Sequence, residues 1–269
     1  MKRSKVNFDG VSPRDGVIIA DLHVGSYAGL CPPDCFISVR RDKKIHDAQE
    51  EAYTCYEEFA KANQGIDILL INGDCIDGKG KKSGGNELWT SDLLEQASAA
   101  ADLIRMFKPG VIRMSHGTNY HVAAESGERL EKVIADQLEA HISNRKFMQI
   151  GGCIVDMRHF VGSSTIPHAR ATAVAREAMW DAMLHERGKF PKVDVICRSH
   201  THYHVHTGDV RYTGFVTPCL QLPYTEFGGT KCSGDIDWGM IKFHAEGGKF
   251  SWEPYIVNLS TAKVVVEKL

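Results

Sequence analysis

Three things are scarce in this chain of 269 residues. There is no apolar run near the roughly 20 residues that a membrane-spanning helix needs. The basic start MKRSKVNFDG is not followed by the apolar stretch of a secretory leader. A soluble, cytoplasmic protein with no membrane attachment is expected. Charge of one sign is also missing: 32 Lys and Arg face 34 Asp and Glu, for a formal net charge of −2. That balance removes the overall basic field typical of nucleic-acid binders, although a local basic groove stays open. Finally, no internal repeat or low-complexity linker divides the chain, which favours one domain over residues 1–269.

Cysteine is present but scattered. The eight thiols (31, 35, 55, 75, 153, 197, 219 and 232) include several inside apolar runs such as DVICRSH, where a reduced cysteine serves as a small core residue. Only Cys31 and Cys35, in CPPDC, stand close together. No second pair at matching spacing completes a structural zinc site.

The composition, 43% hydrophobic and 25% charged, is that of an ordinary globular protein. GVIIADLHVG (16–25) runs from unbroken apolar residues into a polar loop, the pattern of a buried strand, and DILLINGDCIDG (67–78) and VIRMSHGTNYH (111–121) repeat that pattern. The stretches 46–63 and 89–107, rich in Ala, Leu and Glu, read as amphipathic helices. Strands alternating with helices predict a parallel-type sheet with its polar loops at the strand carboxyl ends. After residue 145 the pattern changes. FMQIGGCIVDMRHF reads as a hairpin, 168–187 as a helix, DVICRSH as another buried strand, and 204–258 as strands split by Gly, Pro and Asp. The second half should therefore form a mixed sheet packed against the first.

One stretch raises the question of chemistry directly. SHTHYHVH (199–206) carries His200, His202, His204 and His206 at alternate positions. In an extended chain these imidazoles would share one face, about 7 Å apart in successive pairs, so that neighbouring pairs could serve neighbouring metals. The residues just beyond the other apolar strands are of the same kind. Asp21 and His23 follow VIIA, Asp74 and Asp77 follow LLING, Asn119 and His121 follow VIRMSHG, and His159 follows IVDMR. Asp and Asn are common turn formers, but five strand ends that each supply carboxylate, imidazole or amide are hard to explain as five turns. Mixed oxygen and nitrogen donors suit manganese, iron or zinc better than calcium or magnesium. Two such ions about 3.5–4 Å apart, bridged by a carboxylate, can clamp a transferring phosphoryl group.

In this order the motifs D-x-H (Asp21, His23), G-D-x-x-D (Gly73, Asp74, Asp77), an Asn/His loop (Asn119, His121), a lone His159 and H-x-H (His200, His202) resemble those of the calcineurin-like metallophosphoesterase family, in particular its small phage-type and bacterial members. The resemblance implies an α/β fold with two mixed β-sheets sandwiched between helices. It also implies a dinuclear site and hydrolysis of a phosphate ester by a hydroxide held between two divalent transition-metal ions. On this likeness Asp21, His23 and His202 bind the first ion, Asp74 bridges, and Asn119, His159 and His200 bind the second, with His121 as catalytic proton donor. His204 and His206 are left as surface or supporting groups.

Two positions depart from the family pattern. Ser199 stands where Gly is usual. Gly117-Thr118-Asn119-Tyr120-His121 has one residue more between Asn and His than the usual Gly-Asn-His, so the alternative stays open that His121 ligates and Asn119 caps the following helix. Asp77 is either a turn residue or a carboxylate that orients a ligand histidine. The KGKK segment (79–82) and His168 with Arg170 and Arg176 are candidates for phosphate contact, read first as solvated residues. The expected partner is a small or nucleotide-like phosphate ester, with a phosphodiester preferred because no Arg lies inside the five motifs. Nucleic acid, through a nuclease activity, is the alternative, and a non-catalytic metal-binding interaction module is the rival from another class.

Overall fold

Residues 10–33, 43–80, 84–122, 130–223 and 236–259 are described by the structure, a computed structural model. Cys35, Cys232, Lys81 and Lys82 lie outside the described residues. The chain runs through β1 (Arg14–Ile19), α1 (Lys43–Ala62), β2 (Ile68–Asn72), α2 (Leu93–Arg105) and β3 (Val111–Ser115). It continues through α3 (Asn119–Val122), α4 (Leu130–Gln137), β4 (His141–Ser143), β5 (Lys146–Ile150) and β6 (Cys153–Met157). A 3-10 turn, Pro167–Ala169, leads into α5 (Thr172–Glu186). Then follow β7 (Val195–Arg198), β8 (Val205–Gly208), β9 (Thr213–Val216), β10 (Gly239–Glu246) and β11 (Lys249–Ile256).

The strands form two mixed sheets, in the orders β11-β10-β1-β2-β3-β4 and β5-β6-β7-β9-β8. The pleat explains why the apolar runs are unbroken. In β1, Val17 and Ile19 pack against the helices while Ile18 faces the other sheet; in β2, Leu69 and Ile71 divide from Ile68 and Leu70 in the same way. Ile18, Leu70, Phe243, Val155, Met157, Val195 and Phe215 thus fill the space between the sheets. Each such fully buried side chain contributes about 1.5–3 kcal/mol relative to exposure.

Residues from α1, α2 and α4, including Ala52, Tyr56, Ala100, Ile104 and Ile134, cover the outer face of the first sheet. Asp92 caps α2, its carboxylate accepting from the amides of Leu94 and Glu95. The single helix α5 covers the outer face of the second sheet, where Val174 meets Ile196 and Val216. The architecture is the expected α/β sandwich. No helix among the described residues is long and apolar enough to cross a membrane.

Two expectations need correction. The second half does not keep to its own sheet, because the β10–β11 hairpin returns to extend the first sheet, with β10 antiparallel to β1 from Arg14↔Ala245 to Ile18↔Ile241. Nor is 199–206 one strand. β7 ends at Arg198 and β8 begins at Val205, and His200 and His202 have φ of 77° and 60°. The reason is topological: β7 lies inside its sheet and β8 at the edge with β9 between them, so the chain must turn over the sheet's end. The four histidines do not share the face of one strand.

Candidate metal centre

All the strand carboxyl ends that carry donors open onto one place. The ladder between β1 and β2 continues past both strands, with Asp21 donating its amide to the Gly73 carbonyl and His23 to that of Asp74, each at 3.0 Å. Along this stretch Asp21, His23 and Asp74 take φ of 53°, 46° and 50°. Left-handed backbone is uncommon outside glycine. Of the seven described non-glycine residues with positive φ, five are Asp21, His23, Asp74, His200 and His202. The close approach also needs glycine: a Cβ on Gly117 would stand 2.0 Å from Asp74 Oδ1, and one on Gly73 2.6 Å from His159 Nδ1.

Three groups of potential ligand atoms lie within 4.8 Å of one another: Asp21, His23 and His202; His23, Asp74 and His121; and Asp74, His159 and His200. His23 belongs to the first two groups and Asp74 to the last two. His23 Nε2 and His202 Nε2 face each other at 3.3 Å, and His202 Nε2 is 3.3 Å from Asp21 Oδ1. His159 Nε2 lies 3.0 Å from Asp74 Oδ2 and 3.9 Å from Asp21 Oδ1. Yet His159 Nε2 and Asp21 Oδ1 are buried without a hydrogen-bond partner. Buried polar atoms are normally paired, and an imidazole nitrogen and a carboxylate oxygen left unpaired among further donors fit a cation that would displace the imidazole's proton. The donor set of carboxylate oxygens and imidazole nitrogens fits transition-metal ions such as manganese, iron or zinc.

Surrounding groups fix the imidazole tautomers. His23 Nδ1 donates to Asp77 Oδ1 at 3.0 Å, His121 Nδ1 to the Asp77 carbonyl at 3.1 Å, and His159 Nδ1 to the Asn72 carbonyl at 2.6 Å. Each leaves Nε2 for the site. Asp77, whose role the sequence left open, therefore orients two histidines. Asp74 Oδ1 accepts from the Thr118 amide at 2.7 Å and lies 3.2 Å from the Thr118 hydroxyl.

The charges respond to the same geometry. Burial disfavours a proton on His159, but the Asp74 and Asp21 carboxylates outweigh it and push the imidazole up to about 10. For His121, burial is outweighed by Asp77 and Asp74, which raise it to about 9. Burial, reinforced by His159, takes His200 down to about 4. Burial likewise lowers His23.

Seven of the eight residues singled out from sequence therefore meet here. Asn119 does not join them by any described contact: it opens α3 and is exposed to solvent. The residue before it, Thr118, holds Asp74, and His121, two residues on, stands with Asp74 and His23. His204 donates from Nδ1 to the Val216 carbonyl at 2.8 Å and packs with His206 around Trp252. Lys79 is exposed, and Arg170 lies over the Tyr203 ring.

Sequence reasoning missed the supports. Glu131, buried on α4, accepts from the Cys75 amide at 3.1 Å and the Gly117 amide at 2.8 Å, tying the loops after β2 and β3 together. Its signal was a carboxylate at the spacing of the buried face, beside Leu130 and three residues before Ile134. Asn72 donates to Ser199 Oγ at 2.7 Å and accepts from Ser115 Oγ at 2.5 Å, joining the two sheets beneath the site. Ser199, noted only as a small residue, is part of that network and also meets Thr217 Oγ1 at 2.7 Å.

Neither a protein-family model nor a curated protein matches the sequence. Solved structures with a similar trace include a single mutant of Vps29 from Entamoeba histolytica, at TM-score 0.44 and 13% identity over 91% of this chain and 99% of that one. An archaeal phosphodiesterase gives 0.45 and 12% over 90% and 99%. A predicted phosphoesterase from Streptococcus pneumoniae gives 0.40 and 9% over 91% of each chain. At such scores and identities the likeness says nothing about activity, for which the site itself must answer.

Proposed function

We propose that the chain is a metal-dependent phosphoesterase that hydrolyses a phosphodiester at the donor cluster. The observation that carries this reading is the concentration of left-handed backbone at Asp21, His23, Asp74, His200 and His202. Strain of this kind costs on the order of 1–3 kcal/mol per residue and persists where the surrounding structure and the function require it. Here it turns five ligand-type side chains toward one point.

Asp21, His23 and His202 would hold one divalent transition-metal ion and His159 and His200 a second, with Asp74 shared. When bound, such ions lower the pKa of water and neutralise charge on a transferring phosphoryl group. The protein's own residues do the positioning. Thr118 holds Asp74 Oδ1, the Asn72 carbonyl and the Asp77 carboxylate take the Nδ1 protons of His159 and His23 and so make Nε2 the nitrogen offered for ligation, and Gly73 and Gly117 allow the loops to close. His121, with Nδ1 tied to Asp77, can carry a proton on Nε2 to the departing oxygen. A diester suits the site because the arginines that adjoin the ligands in sequence are engaged elsewhere: Arg158 binds Glu177, and Arg198 binds Asp156 and Glu177. A monoester dianion, with one more ionised oxygen, would gain most from such a guanidinium.

The test is to assay manganese-reconstituted protein on bis-nitrophenyl phosphate, nitrophenyl phosphate and a phosphopeptide. The diester should have the highest specificity constant. A phosphopeptide in first place would overturn the diester preference, and no turnover at full metal occupancy would overturn the enzyme. In the same assay His121→Ala should keep its metal and lose roughly 10²-fold or more on an alkyl ester but little on a nitrophenyl ester, which needs no proton. Loss of a metal equivalent would instead make His121 a ligand.

Proton release gives an independent reading. With pKa values raised to about 10 and about 9, His159 and His121 are protonated at neutral pH without metal, and a ligating nitrogen must lose its proton. Metal uptake at pH 7 should therefore release protons: about one if only His159 ligates, about two if His121 does so as well. Affinity should rise with pH until these groups deprotonate by themselves. Calorimetry in buffers of different ionisation enthalpy measures the number, and an affinity independent of pH between 6 and 9 would contradict the ligand role of His159.

A further inference from the structure

Where the ligand His159 joins the following loop, the chain exposes an aromatic ring. His159 is 1% and Val161 2% exposed, whereas Phe160 between them is 55% exposed. Its backbone is therefore held on both sides. His159 faces the donor cluster, and Val161 belongs to the small core beneath α5. The Phe160 ring stands 4.9 Å from that of His200, tilted by 41°. The loop that begins there is tied down further along, where the Ser164 amide donates to the Tyr203 hydroxyl at 3.2 Å and Arg170 lies 4.5 Å over the same Tyr203 ring. On the imidazole of another donor group the arrangement recurs, with Tyr120, 37% exposed, standing edge-on to His121 at 4.8 Å. Single exposed aromatics are ordinary on protein surfaces. Two that each touch an imidazole of one polar site are a feature of that site's mouth.

We propose that Phe160 is a stacking surface for the base of a nucleoside phosphate whose phosphoryl group sits at the donor cluster. The proposal rests on the phosphoesterase reading and narrows its substrate class. A solvent-exposed phenyl ring stacks on a planar heterocycle, and such stacking is tolerant of base identity. Placement next to His200 puts the base to one side of the phosphoryl position, as a nucleotide requires. The bare phosphate end makes no demand on Phe160.

Calorimetric binding of adenosine monophosphate and ribose phosphate to the manganese-loaded full chain tests this, because the two ligands differ only in the base. Wild type should bind the nucleotide about tenfold more tightly than the sugar phosphate, the size of one base–aromatic stack. Phe160→Ala should lose most of that difference with ribose phosphate affinity unchanged, and Phe160→Trp should restore it. Equal affinity for the two ligands in wild type, an unchanged nucleotide affinity in the alanine variant, or an equal loss for both ligands would each overturn the proposal, the last by showing that Phe160 only props His200. Binding is read without turnover. A protein that binds both ligands as expected but hydrolyses no ester would refute the phosphoesterase reading and leave the base platform standing.

Discussion

Asp74→Asn is expected to abolish binding of both metal equivalents at stoichiometric concentration and to lower hydrolysis by roughly 10³-fold or more, while the fold survives. Asp74 is the one carboxylate that belongs to two of the donor groups. Asparagine keeps its shape and can still accept from the Thr118 amide through its oxygen, so the loop can remain closed. It loses the charge, however, and presents an NH2 group where Oδ2 faces His159. Asp21 belongs to a single group, so Asp21→Asn should cost one equivalent and leave the other. Elemental analysis of reconstituted variants, with thermal melting as a control for folding, separates the two outcomes. A fully folded Asp74→Asn variant retaining two equivalents would sink the shared-ligand assignment.

How much of this was legible beforehand depends on the range of the forces involved. The strands β1 and β2 announce themselves because both faces of each are covered, which leaves unbroken apolar runs in the sequence, and β3, β6 and β7 remain legible with one charged residue each, Arg113, Asp156 and Arg198. Their carboxyl ends then locate the donors, since polar side chains beyond a buried parallel strand emerge at one sheet edge. What the runs do not encode is backbone handedness. The alternation of His200, His202, His204 and His206 suggested a pleat, yet His200 and His202 converge with other donors because both are left-handed. Long-range pairing was equally hidden: nothing local in β10 distinguishes a partner in β1 from one in the second sheet. Partner identity escaped for the same reason. Thr118 and Glu131 are unremarkable as residue types, and only the folded chain brings them within 3.3 Å of the atoms they hold, whereas Asp77 was open to the role it takes, of orienting a histidine.

The largest stability effect is expected away from the donors, at Asp156. Helix α5 presents few buried apolar side chains to the second sheet, with Val174 the main one, and much of its attachment is ionic. Arg198, at the end of β7, is fully buried, and its guanidinium reaches Asp156 Oδ2, Glu177 Oε2 at 3.0 Å, and the carbonyls of Asp156 and Cys197 at 3.0 and 2.9 Å. Arg145 grips both oxygens of Asp156 at 2.8 Å and Asp181 of α5 at 2.7 Å. Asp156→Ala removes the carboxylate these two guanidinium groups share and leaves Arg198 without water to replace it. Breaking a buried pair in this way costs about 3–5 kcal/mol, a fall in melting temperature of roughly 10 °C for a chain of this size. The loss should persist in high salt, because buried charges are poorly screened. Arg198 and Arg158 lie two and one residues before His200 and His159, so metal affinity at those histidines should weaken with the fold while the Asp21, His23 and His202 group is less affected. Differential scanning calorimetry at low and high salt decides the matter: a melting temperature within about 2 °C of wild type would mean that the pairs Arg198 and Arg145 keep with Glu177 and Asp181 suffice without Asp156.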